Sequence, residues 1–224
     1  MDGIVERVAT AYEQKSEKYF SGARLQIEPL LPRFSERVLE VGCGSGGTIR
    51  WLKQNQRIGE SWGIELFEPD ARLAKSVLDH LQVGNAEDLI ATAWPAQQFD
   101  LVLCLDVLEH MTEPWRFMQQ VAQKVAPSGQ LIASIPNVRC LHTLIPLLLR
   151  GEWTYTDEGL LDRTHLRFFT RQSALDLLCV NGLRLQECLG FVRPGTKLET
   201  LDRLTLGRLR GLTTWQYLIR VSRL

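Results

Sequence analysis

The sequence predicts an α/β fold: an open, doubly wound, mostly parallel sheet with helices on both faces. Three observations carry that expectation. Short β-rich runs alternate with helix-period segments along most of the chain. Residues 99–105 are apolar at nearly every position, as a strand covered on both faces should be. The first strand runs into a glycine cluster that opens a helix, and ligands in such sheets sit beyond the strand C-termini near the switch point.

Taken in order, residues 4–19 and 25–31 read as N-terminal helices, the second ending near Pro32. Residues 37–41 form a strand that ends in glycines, followed by a helix over 48–54. Residues 61–66 form the next strand. Pro69 then sits where a first helical turn tolerates it, in a helix expected to carry Leu73, Val77 and Leu81 at i, i+4, i+8. The strand over 99–105 leads to a helix through Phe117, Val121 and Val125, stopped by Pro127-Ser128-Gly129. A strand over 130–135 precedes a less regular stretch, 136–169. A helix over 172–179 then ends at Asn181-Gly182, a good C-cap pair, and 183–189 and 215–221 read as closing strands.

Bulk properties exclude several classes. A chain of 224 residues fits one domain over 1–224 and can bury a full core. Its 26 basic and 26 acidic residues balance, so no overall field draws it to nucleic acid or membrane. From Arg193 onward basic residues outnumber acidic ones, which reads as a solvated basic face. Five cysteines without a Cys-x-x-Cys pair support neither a disulfide framework nor a cysteine zinc site. No basic-then-apolar leader and no membrane-length apolar run is present, so the cytoplasm is expected. The apolar run 141–149 is expected to pack into the core, the alternative being a face toward a lipid-linked acceptor.

The cluster Gly42-x-Gly44-x-Gly46-Gly47 permits positive φ and close approach of a ligand to the backbone. Its spacing also fits a dinucleotide fingerprint. Two carboxylates shift the balance. Glu40, inside the strand end, would repel a pyrophosphate but suits the methionyl ammonium of S-adenosylmethionine (SAM). Glu65, 19 residues past Gly46, can take both ribose hydroxyls.

Residues 38–46, then Gly63-Ile64-Glu65, then 99–110 resemble the ordered motif set of class I SAM-dependent methyltransferases over roughly residues 19–190. The resemblance implies a Rossmann-like, seven-stranded sheet whose last strand is antiparallel, with N-terminal helices over 1–35 and a helical lid insertion over 136–170. The cofactor-binding core would span 36–135, and 171–224 would supply the C-terminal helices and closing strands. It implies that Glu40, Gly42, Cys43, Gly44, Gly46, Glu65, Leu66, Asn85, Ala86 and Leu105 hold SAM, with S-adenosylhomocysteine as product. Asn85 stands where the family often has an acid against the adenine amino group, and an amide can serve there as acceptor.

Asp106, Glu109 and His110 stand at i, i+3, i+4, on one face if a helix begins near Asp106. With His165 they make a mixed oxygen and nitrogen set suited to a divalent ion. The layout is similar to small-RNA 3′-terminal 2′-O-methyltransferases and ubiquinone-biosynthesis O-methyltransferases, which implies Asp106, Glu109, His110 and His165 as ligands of a metal such as Mg²⁺. Here Asp stands where those families commonly have Glu. Without a metal, His110 would act as general base, with Asp106 and Glu109 shaping the cofactor pocket.

Residues 134–139, 151–153 and 161–170 resemble a bacterial methyltransferase group found with surface-polysaccharide assembly. The resemblance implies a small molecule or saccharide as acceptor, with Trp153 and Tyr155 stacking on a sugar or packing in a lid, and Arg139, Arg163 or Arg167 holding a phosphate. The leading expectation is therefore an O-methyltransferase. An RNA 2′-O-methyltransferase is the alternative, opposed by the zero net charge. A dinucleotide-dependent oxidoreductase and a non-catalytic SAM-binding module are the readings from other classes.

Overall fold

A computed structural model describes residues 22–223; the helix expected over 4–19 lies outside them. The sheet is built from β1 (Ser35–Val41), β2 (Ile58–Glu65), β3 (His80–Val83), β4 (Phe99–Leu105), β5 (Val125–Pro136), β6 (Leu183–Phe191) and β7 (Gln216–Arg223). Its order is β3-β2-β1-β4-β5-β7-β6. β1 pairs in parallel with β2 on one side and β4 on the other, and β4 pairs in parallel with β5. β7 runs antiparallel between β5 and β6, as the family's last strand does. The chain order reverses between β1 and β4, so their C-terminal ends border the crevice where such sheets bind ligands.

Alternation along the central strands sends side chains to two cores. Val38, Leu101, Leu103 and Leu105 face one with Ile49, Leu52 and Leu78. Leu39, Val41, Val102 and Cys104 face the other with Phe117, Val121 and Leu177. Each fully buried aliphatic side chain contributes about 1.5–3 kcal/mol. The near-continuous apolar composition of β4 is thus the cost of solvent exclusion on both faces.

The helices are α1 (Gly47–Gln54), α2 (Glu68–Ala74), α3 (Ala86–Leu89), α4 (Pro114–Lys124), α5 (Leu141–Arg150), α6 (Arg171–Leu178), α7 (Lys197–Leu204) and α8 (Arg210–Thr213). Residues 25–30 form a 3-10 helix with Pro29 inside it. Several expectations shift. α2 ends at Ala74, so Leu81 lies in β3 and the i, i+4, i+8 series is not one helix face. β5 begins at Val125, ahead of Pro127-Ser128-Gly129, and Ser128 takes φ +60° where the pairing register with β4 slips.

The run 141–149 is not core. It forms α5, whose one buried residue is Thr143, while Leu148 and Leu149 are 76% and 78% exposed. The five cysteines are free. Three of the seven C-terminal basic residues pair with acids: Arg203 with Glu199, Arg210 with Asp202 and Arg220 with Glu187. Among the described residues no helix is long and apolar enough to cross a membrane.

Candidate functional site

A cavity opens at the C-terminal ends of β1, β2 and β4. Of the ten residues expected to hold a cofactor, Glu40, Gly42, Cys43, Gly44, Glu65, Leu66, Asn85, Ala86 and Leu105 line it. Gly46 does not. It caps α1 in the left-handed region at φ +79°, where an added Cβ would lie 3.0 Å from Leu78. It turns the chain and lets Val77 and Leu78, which follow α2, pack behind the turn. Gly42 takes φ +67° on the cavity wall, an added Cβ there lying 3.0 Å from Val107.

Two buried carboxylates face each other across this turn. The Glu65 oxygens accept hydrogen bonds from Gly44 N (2.7 Å) and Phe67 N (2.8 Å), so β2's end and the glycine turn are tied through one side chain. Burial pushes its carboxyl up from the usual value and the two backbone donors pull it back. Glu40 lacks such backing. Burial pushes its carboxyl up to about 8, against the opposing effects of Thr48 and Arg24. Its Oε2 is buried with no hydrogen-bond partner among the described residues. An acceptor in that state calls for a cationic donor on the cavity side. Asn85, by contrast, is occupied locally: its Oδ1 accepts from Glu87 N at 2.9 Å and caps α3, so that oxygen is already engaged.

Arg24, which no motif marks, lines the same cavity. Among the described residues it contributes the cavity's one guanidinium or ammonium group, and it lies 3.5 Å from Asp106 through Nε. Only folding brings the segment ahead of β1 over the site, so spacing along the chain gave no signal for it.

The four expected metal ligands do not stay together. No helix starts at Asp106, which instead takes φ +52° at the end of β4, and a short 3-10 helix spans Leu108–His110. Its Oδ1 accepts from Ser134 Oγ at 2.7 Å and Oδ2 faces Arg24. Glu109, His110 and His165 do converge, with candidate ligand atoms all within 4.8 Å of one another. The two rings meet edge to face at 4.8 Å. His110 Nδ1 lies 3.0 Å from Thr164 O and His165 Nδ1 lies 3.1 Å from Leu160 O. A carbonyl only accepts, so each Nδ1 carries a proton, and in the neutral ring Nε2 is then the nitrogen with the lone pair.

Glu109 is buried, and both its oxygens lack a hydrogen-bond partner among the described residues, His165 Nε2 standing 3.9 Å from Oε1. Burial, reinforced by Asp106, holds its carboxyl well above the usual range. A buried carboxylate and two lone-pair nitrogens fit a divalent cation, though the set is slightly wider than the roughly 3–4 Å between ligands of a bound ion.

A second cavity, about 760 Å³, adjoins the first and is walled by α5, residues 152–162 and Trp215. His110 lines the cofactor-side cavity; Glu109 and His165 line the second. The cluster therefore sits at their junction. Trp153 and Tyr155 do not line either cavity, and Trp153 packs edge-on against Phe168 instead. Arg139, Arg163 and Arg167 are also outside both. Arg163 pairs with Asp157, while Arg167 donates to Thr112 O and covers the Trp115 ring.

A family model described as a methyltransferase domain matches residues 12–187. A ubiquinone biosynthesis O-methyltransferase from an Azoarcus species is 30% identical over 184 residues, 76% of this chain and 74% of that one. One from Idiomarina loihiensis is 27% identical over 173 residues, 71% and 69% of the two chains. Against other curated relatives the chain spans about half their length, as with the Coxiella burnetii enzyme of the same name at 48%. A SAM-dependent methyltransferase structure from Archaeoglobus fulgidus superposes with a TM-score of 0.69 at 18% identity, covering 94% of this chain and 96% of that one.

Proposed function

The chain belongs to the SAM-dependent methyltransferases, and from that premise we propose that it is a metal-assisted O-methyltransferase acting on a hydroxyl of a small molecule or saccharide. One observation supports this above the others: the Glu109–His110–His165 cluster stands between the cavity at the glycine turn and a second, larger one. A hydroxyl drawn to that cluster faces both.

The residues divide the work. Glu40 would take the cofactor's α-ammonium, satisfying the buried Oε2. Arg24 would take the α-carboxylate. Glu65 has lone pairs left after its two backbone contacts for the ribose hydroxyls. SAM supplies a methyl group on a sulfonium, so the enzyme's remaining tasks are to orient the hydroxyl and manage its proton.

Glu109, His110 and His165 would hold the cation, which lowers the pKa of a hydroxyl bound to it. In its absence His110 Nε2 is the base within the cofactor cavity, its proton-bearing Nδ1 fixed on Thr164 O. The relatives named as ubiquinone biosynthesis O-methyltransferases favour oxygen as the methylated atom.

Calorimetry with SAM, S-adenosylhomocysteine and NAD tests the cofactor, and tight binding of NAD without SAM would sink the reading. Methyl transfer from labelled SAM over phenols, glycosides and short RNAs, with and without EDTA, tests the rest. Undiminished transfer in EDTA removes the metal and leaves His110 as base.

A further inference from the structure

The second cavity's wall carries a pattern that narrows the acceptor. Between Gly151 and Gly159, Glu152, Thr154, Thr156 and Glu158 line the cavity while the residues between them do not. These alternate positions give the cavity a carboxylate–hydroxyl–hydroxyl–carboxylate edge, with Trp153 and Tyr155 outside it. Opposite this edge α5 presents Thr143. It is 1% exposed, lines the cavity, and its Oγ1 has no hydrogen-bond partner among the described residues. A buried hydroxyl left so is destabilising unless something in the cavity completes it.

The lining's charge decides between acceptor classes. Apart from Glu109, whose carboxyl burial holds well above the usual range, it holds four acidic groups against three guanidinium groups, a near balance that draws neither an anion nor a cation. Fourteen of its twenty residues are polar or charged, which supplies hydrogen-bond partners for a hydroxyl-rich acceptor. The exposed leucines of α5, Leu148 and Leu149, lie outside the cavity.

Resting on the O-methyltransferase reading, we propose that this cavity binds a neutral polyhydroxylated acceptor, a glycoside. Thr143 and Thr154 hydrogen-bond its hydroxyls, and the carboxylates of Glu152 and Glu158 accept from vicinal ones. Such a ligand offers donors and acceptors on every edge, matching hydroxyls that do both and carboxylates that only accept.

The test uses the full chain loaded with S-adenosylhomocysteine, so that binding is read apart from turnover. Probes are the methyl glycosides of common neutral hexoses, 6-deoxyhexoses and pentoses, with 3,4-dihydroxybenzoate and a polyprenylated catechol as rivals. Saturation-transfer NMR should show at least one glycoside bound and the rivals not. Thr143→Val and Thr154→Val should each weaken its Kd by roughly fivefold, one lost hydrogen bond. Thr143→Val should leave the thermal midpoint of the unliganded protein equal or higher, because it removes an unsatisfied buried hydroxyl. A merely structural threonine would give the reverse.

Binding of the catechols with no glycoside bound, or glycoside binding indifferent to both substitutions, overturns the proposal. Methyl transfer to a catechol in that case leaves the O-methyltransferase reading intact. Failure to bind SAM at all removes that reading and this proposal together.

Discussion

Replacing Glu40 with glutamine should separate the two jobs of a buried carboxylate, stability and cofactor recognition. In the unliganded protein the carboxyl is raised from 4.5 to about 8, chiefly by burial, with Thr48 and Arg24 opposing and Glu65 reinforcing. A group whose folded pKa is raised contributes stability that is fully present below the unfolded value and lost as pH rises through the folded one. Between pH 6 and 8 the wild type should therefore lose about 2 kcal/mol that Glu40→Gln retains. For a chain of this length that is a thermal midpoint falling by roughly 4–8 °C more in the wild type.

Cofactor binding should run the other way. A cationic α-ammonium binds the ionised carboxylate, so wild-type affinity for SAM should rise by up to about tenfold per pH unit from pH 6. It should level off near about pH 7.5–8, where the ligand's own amino group begins to deprotonate. S-adenosylhomocysteine shares the ammonium and should share the slope. Glu40→Gln should bind both ligands roughly a hundredfold more weakly, with no slope. Calorimetry and melting curves across pH 6–8 measure each term. A wild-type Kd that stays flat over that range would refute the assignment of the ammonium to Glu40.

Glu65→Ala leaves Gly44 N and Phe67 N without their acceptor as well as removing the proposed ribose contact, so SAM affinity should fall by about 30–100-fold in a direct titration. His165→Ala should abolish any stimulation by Mg²⁺ or Mn²⁺ in the methyl-transfer assay; stimulation that survives would show that the cation binds elsewhere. Gly46→Ala places a Cβ at φ +79° and 3.0 Å from Leu78, and should lower stability by roughly 1–3 kcal/mol in denaturant unfolding. Asp202, buried under Arg210 and Thr213, has its carboxyl held below the usual range. Its contribution is present above the unfolded pKa and is lost as pH falls through the folded one, so Asp202→Asn should narrow the gap to wild type in acid melts.

What could be read along the chain was whatever depends on neighbours in sequence. The strand–glycine–helix turn, Glu40 beneath it and Glu65 at the next strand end lie within one βαβ unit, whose right-handed crossover fixes where they meet. Glu109 and His110 were legible for the same reason. Asp106 misled because its spacing matches a helix, whereas Ser134 from the neighbouring strand and Arg24 from ahead of β1 hold it in a left-handed turn. α5 misled because its leucines look like core, yet among the described residues only Thr143 of this helix is buried. Arg24 and Thr143 acquire meaning only from what lies across a cavity, and no periodicity reports that. The same holds for residues 152–158, where the conspicuous aromatics drew notice from the alternate positions that line the second cavity.

The place of β7 bears on how the protein is made. Residues 216–223 are the last described strand to leave the ribosome, yet they slot between β5 and β6, pairing with strands that have been waiting since residues 136 and 191 were added. Through that interval β6 has no sheet partner and β5 keeps an open edge, a template for pairing with a foreign strand. Arg220, donating to Leu30 O across 190 residues of chain, can close only then. Nascent chains of this protein should thus depend on chaperone shielding until β7 arrives, and truncations ahead of it should aggregate instead of yielding a smaller soluble unit.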